Sequence, residues 1–332
     1  QRQMIIRARP RLMIKKGLGR AAEDAAILPQ PQKSLRSLRK DLGISSGARI
    51  GLELDILPYS YCLRLAGSLG EDLAISDISE TIKHIRSVKS EYEIGLIRRA
   101  AENLDAAIAS IADHLREGMR EIDLAAEVEK SLRLSGHPGR VAFRRFNHSL
   151  PMGHLMAGES AAYPSYVSSP TGGKGMSLFL PQGPGFARIR RGQTVLVDYA
   201  GCYNGYIADE TRIFCLGRPS PEMERAHQAA LQIEEATVRE LLPGRVSREI
   251  WDIEEAEGKR LGYSEHLGGP PGKKAGFVGH GVGLEIDEYP VIGPLNQEIE
   301  ENMVIAIEPK MIYPGEGVVG VEDTYLVRPG GS

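Results

Sequence analysis

Asp198, Asp209, His280, Glu308 and Glu322 constrain this chain more than anything else in its 332 residues. Each stands in a short patch of its own: Asp198 ends VLVD, Asp209 lies in GYIADETR, His280 in FVGHGVG, Glu308 in VIAIEP and Glu322 in GVEDT. Taken singly, an acid at a strand end is ordinarily solvated and a glycine-flanked histidine is ordinarily a loop residue. Together they read differently. Four hard carboxylates and one imidazole that converge on one point can hold two divalent ions, and two such ions ionise a bridging water at neutral pH. The fold must therefore gather residues scattered from Asp198 to Glu322.

The local patterns say how. TVLVD, CYNGYIA and TRIFCLG read as strands, which puts Asp198 and Asp209 on the two arms of a hairpin. Alternate residues of a strand face one side, so both carboxylates can aim at one spot. Glu308 ends an apolar strand and Glu322 follows a PGEG turn, which predicts a second hairpin with the same logic. Gly279 and Gly281 around His280 predict a close backbone approach to a ligand site. With no thiolate in the set, the donors suit Mn, Co, Zn or Fe(II).

Upstream, SEYE offers a capping box from Ser90 to Glu93. Behind it Ile94, Ile97, Ala101, Leu104, Ile108, Ile111 and Leu115 recur at helical spacing until Gly118. A second helix is expected over Glu121–Leu134, followed by a Gly/Pro-rich stretch. Ser220 and Pro221 open a third helix that ends near Pro243, and a fourth runs over Ser247–Leu261. Two helices and then strands, twice over, predict an α+β layer architecture with pseudo-symmetric halves. Residues 1–85 read as short α/β elements: RLMIKKG, a helix over 33–42, the strand RIGLELD and a helix around Tyr59–Leu69. They form a small N-terminal domain ahead of residues 86–332. GGKG at 172–175 lacks the spacing and following helix of a phosphate loop and reads as a flexible linker. Tyr163 and Tyr166 read as loop aromatics, and His148 and His154 as surface or structural histidines.

Composition bounds the partners. The chain is 26% charged and 42% hydrophobic with a net charge of −3, which gives no reason to invoke nucleic acid or an anionic membrane. No apolar run reaches about 18 residues. Cys62, Cys202 and Cys215 form no CxxC pair and leave an odd count, so reduced thiols in the cytoplasm are expected. The first residue is Gln, so the natural start is expected to lie further upstream.

VLVDYAGCYNGYIADETRIF resembles the D-x-G…Y-x-G-Y…D-x-T-R segment of the pita-bread metallopeptidases, among them Xaa-Pro aminopeptidase, prolidase, methionine aminopeptidase and creatinase. GHGVGLEIDEYP resembles their GHGIGLEVHE-P stretch, and IEP, a PG turn and VEDT resemble their last two ligand motifs. RSVKSEYEIGLIRRAAE resembles the first helix of the catalytic domain in the prolidase and aminopeptidase P branch. The likeness spans residues 86–328 and all five candidate ligands. It implies a pita-bread catalytic domain behind an incomplete creatinase-like N-terminal domain. It also implies a dinuclear hydrolase of peptide bonds next to proline, working as a homodimer. Asp209 and Glu322 would bridge two ions, Asp198, His280 and Glu308 would complete the set, and Glu308 would be the general base.

Three departures from that pattern concern the substrate. Asp287 stands where the family has a histidine that contacts the substrate carbonyl. An anionic carboxylate there cannot donate to an oxyanion. Gln182, or Pro181, stands where a second histidine precedes the first Asp ligand, and Gln cannot transfer protons at neutral pH. Gly320 replaces an arginine that supports a ligand from behind. Asp287 and Gln182 are thus the atypical members of a catalytic set with Glu308. Two alternatives stay open: a metal-binding pseudoenzyme with a binding or regulatory role, and a hydrolase of a small non-peptide amide. Retention of all five ligands favours an enzyme, because four clustered carboxylates without cations repel one another.

Overall fold

The computed structural model describes residues 40, 43–70, 72–165, 167 and 169–331. RLMIKKG, the helix expected over 33–42 apart from Lys40, and Tyr166 lie outside them. The chain divides into two compact units after Ser79.

In the first unit, β1 (Arg49–Leu52) and β2 (Ala74–Asp77) pair in parallel, Arg49 opposite Ala74 and Leu52 opposite Asp77. Parallel neighbours need a crossover, which α1 (Tyr59–Leu69) supplies. Gly51 is required by packing, since a Cβ there would lie 2.6 Å from the Ile78 side chain.

The second unit repeats one arrangement. α2 (Ser79–Ser87) leads into α3 (Glu91–Ala109), α4 (Ile111–His114) and α5 (Glu121–Leu134). Ser90 caps α3 as expected, accepting from Glu93 N while Glu93 bonds back to Ser90 N. The single helix expected to reach Gly118 instead breaks at Ser110. Its hydroxyl bonds to Ala107 O at 2.6 Å, a local competitor of the helical ladder. Short strands β3 (Val141–Ala142) and β4 (Ser149–Leu150) precede β5 (Gly153–Ala157), a 3₁₀ turn (Gly158–Ala162), β6 (Thr194–Tyr203) and β7 (Tyr206–Cys215). The last three form an antiparallel sheet ordered β5-β6-β7. Its hairpin turns at Asn204-Gly205, both at positive φ, the conformation that suits a tight two-residue turn. Leu104, Ile108, Leu124 and Val128 of the helices bury against Leu155, Val195, Val197 and Tyr199 of the sheet.

The second half follows the same plan. α6 (Pro221–Arg239) is capped by Ser220 with Pro221 at its first position, and α7 (Ser247–Leu261) ends at Gly262 in the left-handed region. Then come β8 (Gly279–Gly281), β9 (Glu288–Ile292), β10 (Val304–Ile307), β11 (Lys310–Tyr313), β12 (Gly317–Gly320) and β13 (Asp323–Leu326). A four-stranded sheet runs β13-β10-β8-β9, beside a β11-β12 hairpin. Ile250 packs with Val278, Ile292, Ile305 and Ile307, while Met223, Ala226, Ala230 and Ile233 pack on Met311 and Val319.

The two halves meet where β7 lies against residues 322–324. Thr211 and Glu322 exchange backbone hydrogen bonds at 3.1 and 3.3 Å. Thr324 Oγ1 donates to Asp209 O and accepts from Asp209 N, both at 2.8 Å. Residues 172–175 are no flexible linker. Gly172 and Gly173 are buried, Gly172 N donates to Tyr163 O, and Gly172 O accepts from Gly183 N at 2.7 Å. A Cβ on Gly173, at φ +78, would lie 2.7 Å from Gly183 O, so glycine here serves close backbone packing.

Candidate metal centre

The β5-β6-β7 register places the first candidate ligands. His154 lies opposite Asp198, Asp198 opposite Thr211, and Asp209 opposite Ala200. Directly opposed residues share a face, and so do residues two apart along a strand. His154, Asp198, Asp209 and Thr211 therefore face the same side. In the other sheet His280 pairs with Ala306, and Glu308 follows two residues on. Glu322 is carried in by its bridge to Thr211, whose hydroxyl bonds to Glu322 Oε2 at 2.8 Å. The D-x-T-R sequence thus has a structural account: Asp209 is a candidate ligand and Thr211 orients Glu322. Arg212 donates to the Glu322 carbonyl at 3.0 Å and to Asp323 at 2.7 Å.

All five expected ligands line one cavity of about 630 Å³. His280 Nε2 lies 3.9 Å from Asp209 Oδ2, 3.7 Å from Glu308 Oε1 and 3.9 Å from Glu322 Oε1. Ligand atoms of Asp209, His280 and Glu322 all fall within 4.8 Å of one another, a spacing that one ion can span. The glycines beside His280 have a different reason from the one expected. A Cβ on Gly279 would collide with the Ala306 carbonyl, and one on Gly281 with the Tyr289 carbonyl. They let neighbouring strands approach rather than a ligand.

Lys310 is the residue that sequence reasoning missed. It is fully buried, and its Nζ lies 2.8 Å from each of Asp198 Oδ2, Glu308 Oε2 and Glu322 Oε2. A signal was present, since Lys310 stands two residues after Glu308 along an extended chain and so shares its face. His154 was also underrated. Its Nε2 is 3.0 Å from Asp198 Oδ2 and 3.3 Å from Thr171 Oγ1, inside the cavity. His148, by contrast, is exposed against Phe143.

The charges sort accordingly. Burial alone would raise the Asp198 carboxyl, but the Lys310 ammonium and His154 hold it well below the usual range. Burial and the charge of Asp198 push Asp209 well above it, and burial and the charge of Asp209 do the same to Glu322. Burial works against the charged form of Lys310, yet Asp198, Glu308 and Glu322 raise its pKa well above that of a free lysine.

The substrate-facing positions form the cavity wall. Asp287 Oδ1 accepts from Arg144 N at 3.0 Å, and burial lifts its carboxyl above the ordinary range. Gln182 Oε1 accepts from Ser165 Oγ at 2.7 Å. Phe143, Met152, Leu180, Phe277, Ile286 and Val291 make much of the remaining wall apolar. Gly320 lies directly opposite Lys310 in the β11-β12 ladder.

Comparison with known proteins agrees with this geometry. Residues 95–329 match the model of metallopeptidase family M24. The Xaa-Pro dipeptidase of Pyrococcus horikoshii is 29% identical over 317 residues, 94% of this chain and 79% of that protein. The Xaa-Pro dipeptidase of Pyrococcus furiosus is 30% identical over 256 residues, 77% of this chain and 64% of that protein. Among solved structures, the prolidase from Pyrococcus furiosus superposes with a TM-score of 0.74 at 25% identity, covering 98% of this chain and 84% of that one. The X-Pro aminopeptidase from Thermotoga maritima superposes with a TM-score of 0.77 at 24% identity, covering 99% and 83%, a likeness of fold. No helix among the described residues is long and apolar enough to cross a membrane. The α+β architecture is the pita-bread fold, and the chain belongs to metallopeptidase family M24, a family of metal-dependent hydrolases.

Proposed function

We propose that this chain hydrolyses peptide bonds of Xaa-Pro substrates with the help of divalent metal. The observation that carries the proposal is the convergence of Asp209, His280, Glu308 and Glu322 in one cavity. The donor set fits the group: carboxylate oxygens and one imidazole nitrogen, no thiolate, suited to Mn, Co, Zn or Fe(II). A divalent ion held there would polarise a carbonyl and lower the pKa of a water bound to it. Two ions bridged by Asp209 and Glu322 would be the full arrangement the family resemblance implies. The number this chain takes turns on Lys310.

The chain's own residues supply the rest. Glu308 bonds Lys310 through Oε2 and turns Oε1 toward His280. The general-base role that the family resemblance implies for Glu308 would fall to Oε1 only while that oxygen does not itself coordinate the ion. Asp287 takes the place of an expected histidine, and its raised pKa eases the protonated form. A protonated carboxyl can donate to a developing oxyanion where a carboxylate would repel it. Gln182, held by Ser165, offers hydrogen bonds without proton transfer. His154 brings into the cavity an imidazole that the Gln182 position lacks. The apolar wall suits a proline ring or another apolar side chain.

Release of proline from a panel of Xaa-Pro dipeptides, with Mn or Co added and then chelated, tests the proposal. Release that stops on chelation is expected. No cleavage across the panel with metal bound overturns the peptide substrate. The replacement of two expected histidines favours one other reading, a small non-peptide amide as substrate. Asp287→His combined with Gln182→His should raise peptidase activity if a peptide is the natural substrate. No gain with metal still bound would favour the amide.

A further inference from the structure

We propose that the Lys310 ammonium is a built-in cation that fills one of the two positions between the carboxylates, so that the site takes a single divalent ion. The inference rests on the metal-dependent reading above and concerns how many ions that reading needs. Glu308 and Glu322 each divide their oxygens. Their Oε1 atoms face His280 Nε2 at 3.7 and 3.9 Å. Their Oε2 atoms lie 2.8 Å from Lys310 Nζ, which also meets Asp198 Oδ2 at 2.8 Å. Bridging carboxylates thus face two cation positions, and the protein itself occupies one.

Three features identify Lys310 as a replacement for an ion rather than a supporting residue or a proton donor. An ammonium has three N–H donors, and three carboxylates take them all, so none is left for substrate. A group supporting one ligand from behind would touch that ligand alone, whereas Lys310 touches three. An ion bound to the same three oxygens would have to take the space that Nζ fills. The opposite strand leaves room for this stem. A Cβ on Gly320 would lie 2.8 Å from Lys310 Cα and 3.0 Å from its Cγ. The nearest atom, the Pro309 carbonyl oxygen at 2.6 Å, belongs to the backbone as well, so the glycine serves the close approach of β12 to β11 whatever residue stands at 310. Charge agrees. Asp198, Asp209, Glu308 and Glu322 carry four negative charges; one ammonium leaves three, and one divalent ion then leaves one.

The test is metal stoichiometry. The chain, stripped with chelator and reloaded with excess Mn(II), is freed of unbound metal and analysed for ions per chain and for its electron paramagnetic resonance. One ion per chain with the spectrum of an isolated Mn(II) is expected. Lys310→Ala should take a second ion and show an exchange-coupled pair. Two ions in the parent overturn the inference and leave the metal-dependent reading standing; none overturns that reading, and the inference with it. A folded Lys310→Ala chain that still takes one ion shows that the ammonium is not what fills the second position. Should that variant fail to fold, the parent's count and spectrum decide alone.

Discussion

The two oxygens of Glu308 face environments built on different principles. On the Oε1 side, His280 and Asp209 come no closer than the spacing an exogenous ion would span. On the Oε2 side, Lys310 closes every gap to hydrogen-bonding distance. One side is arranged to recruit its positive charge from solution and the other carries it covalently. The side with a resident cation needs nothing to hold its carboxylates together, while the other is stable only at the cost of protonating an acid or binding a metal. Burial and mutual repulsion push Asp209 upward, and Glu322 too despite its contact with the lysine, whereas Lys310 and His154 together hold Asp198 down.

Lys310→Met would break the comparison most forcefully. It keeps the length of the stem and removes the charge, leaving Asp198 with His154 and Glu322 with the Thr211 hydroxyl but all three carboxylates without their ammonium. Removing one partner of a buried ion pair costs about 3–5 kcal/mol. A denaturant midpoint that falls accordingly in metal-free buffer is the expected result, and a midpoint within error of the parent would show the ammonium to be dispensable. His280→Ala attacks the other side and should leave metal-free stability nearly unchanged. Its effect should appear as a loss of ion affinity of about 100-fold or more, at or beyond the upper range for removing an outer-shell partner. Calorimetric titration with Mn(II) measures it.

The same division explains what the sequence could and could not convey. The β6-β7 hairpin was legible because alternation along a strand is local and sets the Asp198 and Asp209 faces directly, although CYNGYIA, expected as one strand, is split by the turn at Asn204-Gly205. α5 and α7 were legible to the residue, since periodicity and stop signals agree. The break at Ser110 was not, because Ile111 and Leu115 continue the apolar stripe into the same core beyond it. Lys310 escaped attention although it follows Glu308 by two residues. The expectation for that strand ended at the acid, and the hairpin was placed without β11. The convergence of Lys310 on Asp198 and Glu322 is non-local, and only the folded chain shows it. His154 escaped for the same reason. Its role depends on lying opposite Asp198 across 44 residues of chain.

A smaller effect would sharpen the link between the halves. Thr211 orients Glu322 through a buried hydroxyl bond of 2.8 Å. Thr211→Val keeps the shape and removes the donor, which should cost about 1–3 kcal/mol of stability. If Glu322 serves an ion through Oε1, the same variant should weaken Mn(II) binding as well. Lost stability with unchanged ion affinity would confine Thr211 to holding the halves together.

Glu234 provides the case with no ammonium against it, where the Tyr325 hydroxyl and the charge of Arg212 offset burial only in part. It is buried on α6, and burial, with the charge of Asp323, raises its pKa to about 7. Its unfolded value is near 4.5, so between those values the folded chain binds the extra proton. Stability from this group is therefore complete below about pH 4.5 and is lost as pH rises through about 7. Glu234→Gln removes the ionisation while keeping the shape. At about pH 8 it should be more stable than the parent by about 1–2 kcal/mol, and the difference should vanish near pH 4.5. Urea unfolding of both chains at the two pH values measures the gap. A gap of equal size at both would mean that Glu234 is charged throughout, and that a buried carboxylate in this fold is tolerated without the cation that Lys310 provides to its own cluster.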